Sequence, residues 1–199
     1  MRLASALLLT AVALAACTTA PPRATQPVNV KLLAINDFHG NLKPPRGGIR
    51  IKDPADATKT IDVPAGGAEH LATAVAQLRA KNPNHIFVAA GDLIGATPLL
   101  SALFRDEPTI DSLGLMGLEV SAVGNHEFDR GTTELLRMQR GGCHPGDGCK
   151  GPQPFKGASF KYLAASTIDT RSGQTIFPAY HVKHFEGIPV AFIGLTLKD

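Results

Sequence analysis

The segment from Gly124 to Asp129 carries side chains that can bind a metal ion and move a proton. It places Asn125, His126 and Asp129 directly after the apolar run 120–123. An amide oxygen and an imidazole nitrogen can ligate a metal, and a carboxylate three residues after a histidine can reach back to fix its tautomer. The sequence therefore predicts a reactive centre at the end of this run.

Two earlier segments have the same form, an apolar run followed by potential ligands. The run 31–35 leads into Asp37 and His39, and the run 85–90 leads into Asp92. A lone aspartate after a strand is usually a turn residue or a helix cap, so the recurrence is more informative than any one segment. If the three runs are parallel neighbours, their carboxyl ends meet where ligands bind in open α/β sheets. We therefore expect one shared site.

The segments between these motifs supply the helices and strands that such a sheet requires. Apolar residues at helical spacing, turn residues and proline positions predict helices at 68–81, 98–104, 109–116 and 132–140. Apolar and alternating runs predict strands at 28–35, 85–90, 119–124, 161–166, 177–185 and 188–197, with a hairpin turn at Glu186 and Gly187. The proline- and glycine-containing segment 41–67 is predicted to be an irregular loop.

Taken in order, the three motifs resemble those of the calcineurin-like metallophosphoesterases. They read NDFHG at 36–40, GDLIG at 91–95 and GNHEFD at 124–129, and this wording is similar to that of the bacterial 5'-nucleotidase branch. Three ordered motifs are more specific than any one alone. The resemblance implies an α/β fold, a metallophosphoesterase-type α/β/β/α sandwich that is incomplete here, and hydrolysis of nucleotides or related phosphate esters.

The resemblance also implies a centre of two divalent metal ions, with zinc, manganese, magnesium and cobalt as the candidates. Asp37 and His39 would hold one ion, and Asp92 would bridge the two. Asn125 would hold the second ion. Such a pair generates a hydroxide and clamps the phosphoryl oxygens during in-line attack.

Catalytic roles are implied for the residues that follow. His126 would stabilise the developing charge or protonate the leaving oxygen, oriented by Asp129. The alternative role of Asp129 is to cap the helix that follows it. One departure from the family pattern lies at 165–167, where Ala-Ser-Thr replaces a typical Ala-Asn pair.

The family's later motifs have no counterpart before residue 199. Family members carry two further metal-binding histidines, the last in a Gly-His-x-His-like motif, and a C-terminal domain that holds the nucleoside. We therefore interpret 28–199 as the N-terminal part of a metallophosphoesterase domain and expect weak metal binding and little hydrolysis, unless His144, His181 or His184 substitutes. The alternatives are an inactive lipoprotein fragment or binding module, and an exported scaffold in which these residues only cap strands and helices.

Residues 1–16 have the form of a bacterial export signal. One early arginine precedes an apolar run shorter than the ~20 residues of a transmembrane helix. The run ends in Leu-Ala-Ala-Cys17, which resembles a lipobox. This pattern predicts lipidation of Cys17, a flexible tether at 17–27 and a lipoprotein anchored to a membrane of the bacterial periplasm. The alternative is an ordinary cleaved signal with an unrelated cysteine.

Setting Cys17 aside leaves an even pair, Cys143 and Cys149. Export into an oxidising compartment and the turn-rich segment 144–148 favour a disulfide between them. The alternative is a zinc site that includes His144, although these residues supply at most three ligands.

The bulk composition is that of a globular protein, with 44% hydrophobic and 19% charged residues in a chain of 199. The formal net charge is +3, and the lysine and arginine residues are scattered along the chain. We therefore predict no nucleic-acid partner. Neither a Gly-x-x-x-x-Gly-Lys-Ser/Thr loop nor a Gly-x-Gly-x-x-Gly loop occurs, which argues against a classical nucleotide cradle.

Overall fold

The computed structural model describes residues 26–197, which form a mixed α/β fold. In chain order the strands are β1 (Lys31–Ile35), β2 (Ile49–Lys52), β3 (Thr60–Val63), β4 (His85–Ala89), β5 (Val120–Ala122), β6 (Lys161–Leu163), β7 (Ile168–Asp169), β8 (Gln174–Thr175), β9 (Tyr180–Phe185) and β10 (Ile188–Ile193). The helices are α1 (Gly67–Arg79), α2 (Leu99–Ala102), α3 (Glu107–Leu115) and α4 (Gly131–Arg140), with a single 3₁₀ turn at His126–Phe128. None of the described helices is long and apolar enough to cross a membrane.

Four strands form the central sheet in the order β1-β4-β5-β6, and all neighbouring pairs are parallel. Leu33 is opposite Phe87, and Val88 is opposite Val120. The predicted α/β class with parallel neighbouring strands is confirmed. Because the strands run in one direction, the segments that follow β1, β4 and β5 emerge at the same edge of the sheet.

Both faces of this sheet are covered, which explains its continuous apolar strands. Ile86 and Phe87 are neighbours on β4, point to opposite faces and are both fully buried. Phe87 packs on the side of the helices, in a core that includes Val75, Ile110, Leu113, Leu135 and Met138. On the other face, Ile86 packs against the hairpin of β9 and β10 through Phe185, Val190 and Phe192.

The structure differs from the sequence predictions mainly in short, exposed elements. The prediction that 41–67 is irregular was wrong, because β2 and β3 form an antiparallel hairpin there. Most of its residues are exposed, and the cross-strand ion pair of Arg50 and Asp62 lies at the surface. Because such a hairpin has no buried apolar face, its sequence lacks the apolar pattern that predicts a half-buried strand. The two-residue strands β7 and β8 were also not predicted.

The predicted hairpin turn at Glu186 and Gly187 is confirmed, since both residues have positive φ and join β9 to β10. Several strands are shorter than predicted; β9, for example, begins at Tyr180. The export signal at 1–16, Cys17 and nearly all of the tether lie outside the described residues.

Candidate metal centre

The segments that follow β1, β4 and β5 converge on one cluster of ligand atoms. His39, Asp92 and His126 each offer one such atom, and these atoms all lie within 4.8 Å of one another. The two imidazole rings meet edge to face with centroids 4.9 Å apart. The structure thus brings together side chains that lie up to 87 positions apart, from His39 to His126.

Backbone conformation sets the direction of two of these side chains and of the neighbouring Asp37. Asp37, His39 and Asp92 have φ values of 50°, 45° and 51°, in the left-handed region that residues other than glycine seldom adopt. Strained conformations of this kind persist where the surroundings fix them, and they concentrate at functional sites. Here the His39 N–H donates to the Asp92 carbonyl over 3.0 Å, and the Asp37 N–H donates to the Gly91 carbonyl over 3.2 Å. These bonds tie the segment after β1 to the segment after β4.

A close approach of two glycines allows the β4 and β5 segments to meet. A Cβ atom added to Gly124 would lie 2.0 Å from Oδ1 of Asp92, and one added to Gly91 would lie 2.4 Å from the Gly124 nitrogen. Any side chain at either position would therefore displace the aspartate or its loop.

The imidazole of His39 is held in one tautomer. Its Nδ1 lies 2.8 Å from the Gly95 carbonyl oxygen, which can only accept a hydrogen bond. Nδ1 therefore carries the proton, and the lone pair of Nε2 is available to a metal ion. Oδ1 of Asp37 lies 3.8 Å from this Nε2 atom, so the exposed Asp37 carboxylate can share the same ion.

His126 is oriented in the same way by a carboxylate. Its Nδ1 lies 2.8 Å from Oδ2 of Asp129, and this hydrogen bond raises the pKa of His126 above its usual value. The backbone N–H of His126 also donates to Oδ1 of Asp92 over 3.0 Å. Helix α4 begins after Arg130 and has no side-chain cap. The contact that the structure gives to Asp129 is therefore with Nδ1 of His126, which leaves Nε2 of that ring free of this hydrogen bond.

Glu127 is a residue of this site that sequence reasoning missed. It is only 2% exposed, and its carboxylate accepts hydrogen bonds from the backbone N–H groups of Asp92, Leu93 and Gly124 at 2.7–2.8 Å. Burial raises the pKa of Glu127, and the three N–H donors counteract part of that rise. The glutamate joins the β4 and β5 loops next to the candidate metal ligands Asp92 and His126. The motif places it beside His126, but nothing in the local sequence says that its side chain turns inward.

Asn125, predicted as a metal ligand, is exposed and directly precedes the 3₁₀ turn without capping it. The structure therefore assembles His39, Asp92 and His126 most closely, with Asp37 beside them and Asn125 next in the chain to His126. The imidazole nitrogen of His39 and the carboxylates of Asp37 and Asp92 are ligand types that zinc, manganese and cobalt ions accept. Because Nδ1 of His39 is bonded to the Gly95 carbonyl, its Nε2 atom is left for such an ion.

The cysteine pair lies in a separate loop. In the structure Cys143 and Cys149 form a disulfide, so neither thiolate is available to zinc. Nδ1 of His144 accepts hydrogen bonds from two backbone N–H groups of the same loop. His181 lies on β9 with its Nδ1 3.4 Å from the Lys161 amine. Within residues 26–197, neither histidine belongs to the group of potential metal ligands.

Comparison with known proteins gives a family match over most of the chain. A model of the calcineurin-like phosphoesterases matches residues 30–191. An uncharacterised Acinetobacter calcoaceticus protein encoded in the pqq-V 5' region is 47% identical over 174 residues, which cover 85% of each chain. The Bacillus subtilis endonuclease YhcR is 36% identical over 86% of this chain, and a Vibrio cholerae 5'-nucleotidase is 28% identical over 94% of it. The chain spans only 13% and 29% of these last two proteins.

Solved structures show the same likeness. The Haemophilus influenzae NAD nucleotidase superposes with a TM-score of 0.65 at 25% identity, covering 84% of this chain and 26% of that enzyme. The 5'-nucleotidase precursor of Thermus thermophilus superposes with a TM-score of 0.60, also at 25% identity, covering 84% of this chain and 28% of the precursor. The described fold is therefore the one that these nucleotidases share.

Proposed function

Because this chain belongs to the calcineurin-like phosphoesterase family, we propose that its site hydrolyses nucleotides or related phosphate esters with two divalent metal ions. The observation that carries the proposal is the convergence of His39, Asp92 and His126 within 4.8 Å at the carboxyl end of a parallel sheet. Relatives named 5'-nucleotidase favour a nucleotide-type substrate. They also favour an enzyme over a binding module with no catalytic role.

Each residue of the site has a role in this proposal. Asp37 and His39 would hold one ion, Asp92 would bridge, and Asn125 would hold the second ion. When bound, such ions activate a water molecule and neutralise phosphoryl oxygens. His126 belongs to the cluster and its Nε2 atom is free of the bond to Asp129, so its imidazolium could donate a hydrogen bond or a proton to an oxygen of the reacting phosphoryl group.

Asp129 acts through His126. Its carboxylate accepts a hydrogen bond from Nδ1–H, which keeps the ring in one orientation and favours the charged imidazolium. Glu127 has an indirect role, because it accepts hydrogen bonds from the backbone N–H groups of Asp92 and Leu93 and so fixes the loop that carries Asp92. Both residues are positioning residues in this proposal.

The proposal extends to where the protein works. Residues 1–16 would direct export, and lipidated Cys17 would anchor the protein to a membrane of the periplasm through the tether at 17–27. Domain 28–199 would then act outside the cytoplasm, on substrates that reach the periplasm. The apolar run that ends in Leu-Ala-Ala-Cys17 is the feature that supports this location.

Metal binding and hydrolysis by the purified chain test the proposed chemistry. We expect manganese to bind, measured by calorimetry, and p-nitrophenyl phosphate to be hydrolysed slowly, because four predicted ligands leave two ions incompletely coordinated. Asp92→Asn removes a predicted metal ligand, so it should weaken both manganese binding and hydrolysis. The loss should exceed the roughly 10–100-fold that follows removal of a residue that only supports a ligand. Asp62→Asn, in the exposed hairpin, is the matched control. Failure to bind manganese, or hydrolysis that Asp92→Asn leaves unchanged, would contradict the proposal.

A further inference from the structure

A cavity of about 370 Å³ lies directly beside His126 and Asp129. Its volume is within the range of small-molecule sites. Its lining also includes Arg105, Asp106 and Arg130, none of which has a role in the chemistry described above. The cavity therefore extends from the reacting centre to two guanidinium groups.

Arg105 is presented to the cavity by an unusual turn between α2 and α3. Arg105 and Asp106 are consecutive residues with φ values of 55° and 65°, although neither is glycine. Two adjacent left-handed residues store backbone strain, which is tolerated where placement of the side chains matters. Nε and Nη2 of Arg105 donate to Asp147 in the disulfide loop. Among the described residues, Nη1 has no hydrogen-bond partner and can donate to a ligand.

Arg130 directly follows Asp129 and is paired more loosely. Its Nη2 atom lies 3.6 Å from Oδ2 of Asp106, which is beyond hydrogen-bond distance, and its side chain is 36% exposed. A guanidinium held in this way keeps its N–H donors for another anion. The Asp106 side chain is only 3% exposed and its Oδ1 atom has no hydrogen-bond partner among the described residues, so Arg130 offsets its charge without a direct hydrogen bond.

The other carboxylates of the cavity wall are already bound. Glu127 accepts hydrogen bonds from three backbone N–H groups, and Asp129 accepts a hydrogen bond from Nδ1–H of His126. Glu134 accepts two hydrogen bonds of 2.9 Å from Arg137. The charged donors left open in the described cavity lining are therefore those of Arg105 and Arg130, beside the unpaired hydroxyl of Thr97.

We propose that this cavity is a subsite for a second anionic group of the substrate, on the leaving-group side, with Arg105 and Arg130 as specificity-determining residues. The inference rests on the proposed phosphoesterase function and narrows its substrate class. The preferred substrates are phosphate esters whose leaving group carries a carboxylate or a further phosphate. Guanidinium groups suit both anions because they offer paired N–H donors.

A matched pair of stable phosphonates tests this subsite by calorimetry in the presence of manganese. Propylphosphonate and 3-phosphonopropionate share the phosphonate, and only the second carries a carboxylate at its other end. We expect the unaltered protein to bind 3-phosphonopropionate roughly 10–100-fold more tightly, as charge-assisted hydrogen bonds imply. Arg105→Gln and Arg130→Gln should each reduce that preference while the affinity for propylphosphonate is kept. Arg50→Gln, which removes an exposed arginine paired with Asp62, is the control.

The outcomes separate the two proposals. Equal affinity for the two phosphonates in the unaltered protein, or a preference that survives both glutamine variants, would overturn the subsite alone. If neither phosphonate binds, the phosphoesterase proposal fails and the subsite fails with it. Arg130→Lys keeps the positive charge beside Asp106, so it provides a second test if Arg130→Gln does not fold. It should keep part of the preference, and complete loss in a folded Arg130→Lys protein would also count against the subsite.

Discussion

The backbone N–H of Asp92 donates a 2.8 Å hydrogen bond to Oε2 of Glu127, 35 positions further along the chain. The same oxygen accepts from the Gly124 N–H, so one buried carboxylate fixes the loops after β4 and β5. The position of Asp92 in the candidate metal centre therefore depends on Glu127, which is not among the predicted ligands.

Glu127→Gln tests this dependence. An amide has one oxygen and would turn its NH₂ group toward at least one of three N–H donors, leaving buried groups unpaired. We expect a loss of about 1–3 kcal/mol in the free energy of unfolding, measured with urea, together with weaker manganese binding. Glu69→Gln is the control, because Glu69 is exposed on α1. Unchanged stability and metal affinity in Glu127→Gln would show that the carboxylate is dispensable.

Asp129→Asn addresses the orientation of His126. The amide can present its NH₂ group to the ring and favour the wrong tautomer, so we expect activity on p-nitrophenyl phosphate to fall roughly 10–100-fold. Nitrogen chemical shifts of His126 in the metal-free protein should show less of the Nδ1-protonated form. Asp169→Asn, at the exposed turn near Arg171, should change neither measurement. An Asp129→Asn protein with the original tautomer and full activity would show that Asp129 does not orient His126 for the reaction.

Arg137→Gln tests the buried ion network behind the cavity. The Arg137 side chain is 6% exposed and pairs with Glu134 and Glu107, which are 8% and 11% exposed. Removing the arginine leaves two buried carboxylates without their cation, so we expect a loss of about 3–5 kcal/mol in the free energy of unfolding. Arg50→Gln, in an exposed pair, should unfold like the parent protein in the same urea titration. If Arg137→Gln and Arg50→Gln lost similar amounts of unfolding free energy, the Arg137 network would contribute no more than an exposed ion pair.

The cysteine pair is expected to be oxidised in protein exported from the cell. Neither Cys143 nor Cys149 should then react with a thiol label until a reductant is added. Replacing both with serine should lower the free energy of unfolding by roughly 2 kcal/mol, because the enclosed loop is short. Labelling of both thiols in unreduced, exported material would refute the predicted disulfide.

Lipidation of Cys17 is tested in a bacterial host. The unaltered chain should lose residues 1–16, gain the mass of a lipid and sediment with membranes. Cys17→Ser should be soluble or remain as the uncut precursor, and Cys143→Ser serves as a control that leaves the predicted lipobox intact. A soluble unaltered protein that keeps residues 1–16 would refute both export and anchoring.

The sequence alone determined the elements and motifs that depend on local chemistry. Apolar runs followed by Asp37, Asp92 and Asn125 predicted strands that end in polar groups, and β1, β4 and β5 lie there. Helical spacing predicted α1 and α4, and Glu186 with Gly187 predicted the turn between β9 and β10. These features follow from the periodicity and conformational preferences of neighbouring residues, which the sequence displays directly.

Tertiary structure decided which side chains share a site and which are buried. Glu127 and Arg130 are charged residues of one short segment, yet the first is buried against three backbone N–H groups and the second lines a cavity. The proximity of Arg105 to His126 across that cavity has no signal in the sequence. Such relationships depend on loops that meet only after the parallel strands have paired. Their geometry is fixed by contacts between residues far apart in the chain, and local pattern carries no information about those contacts.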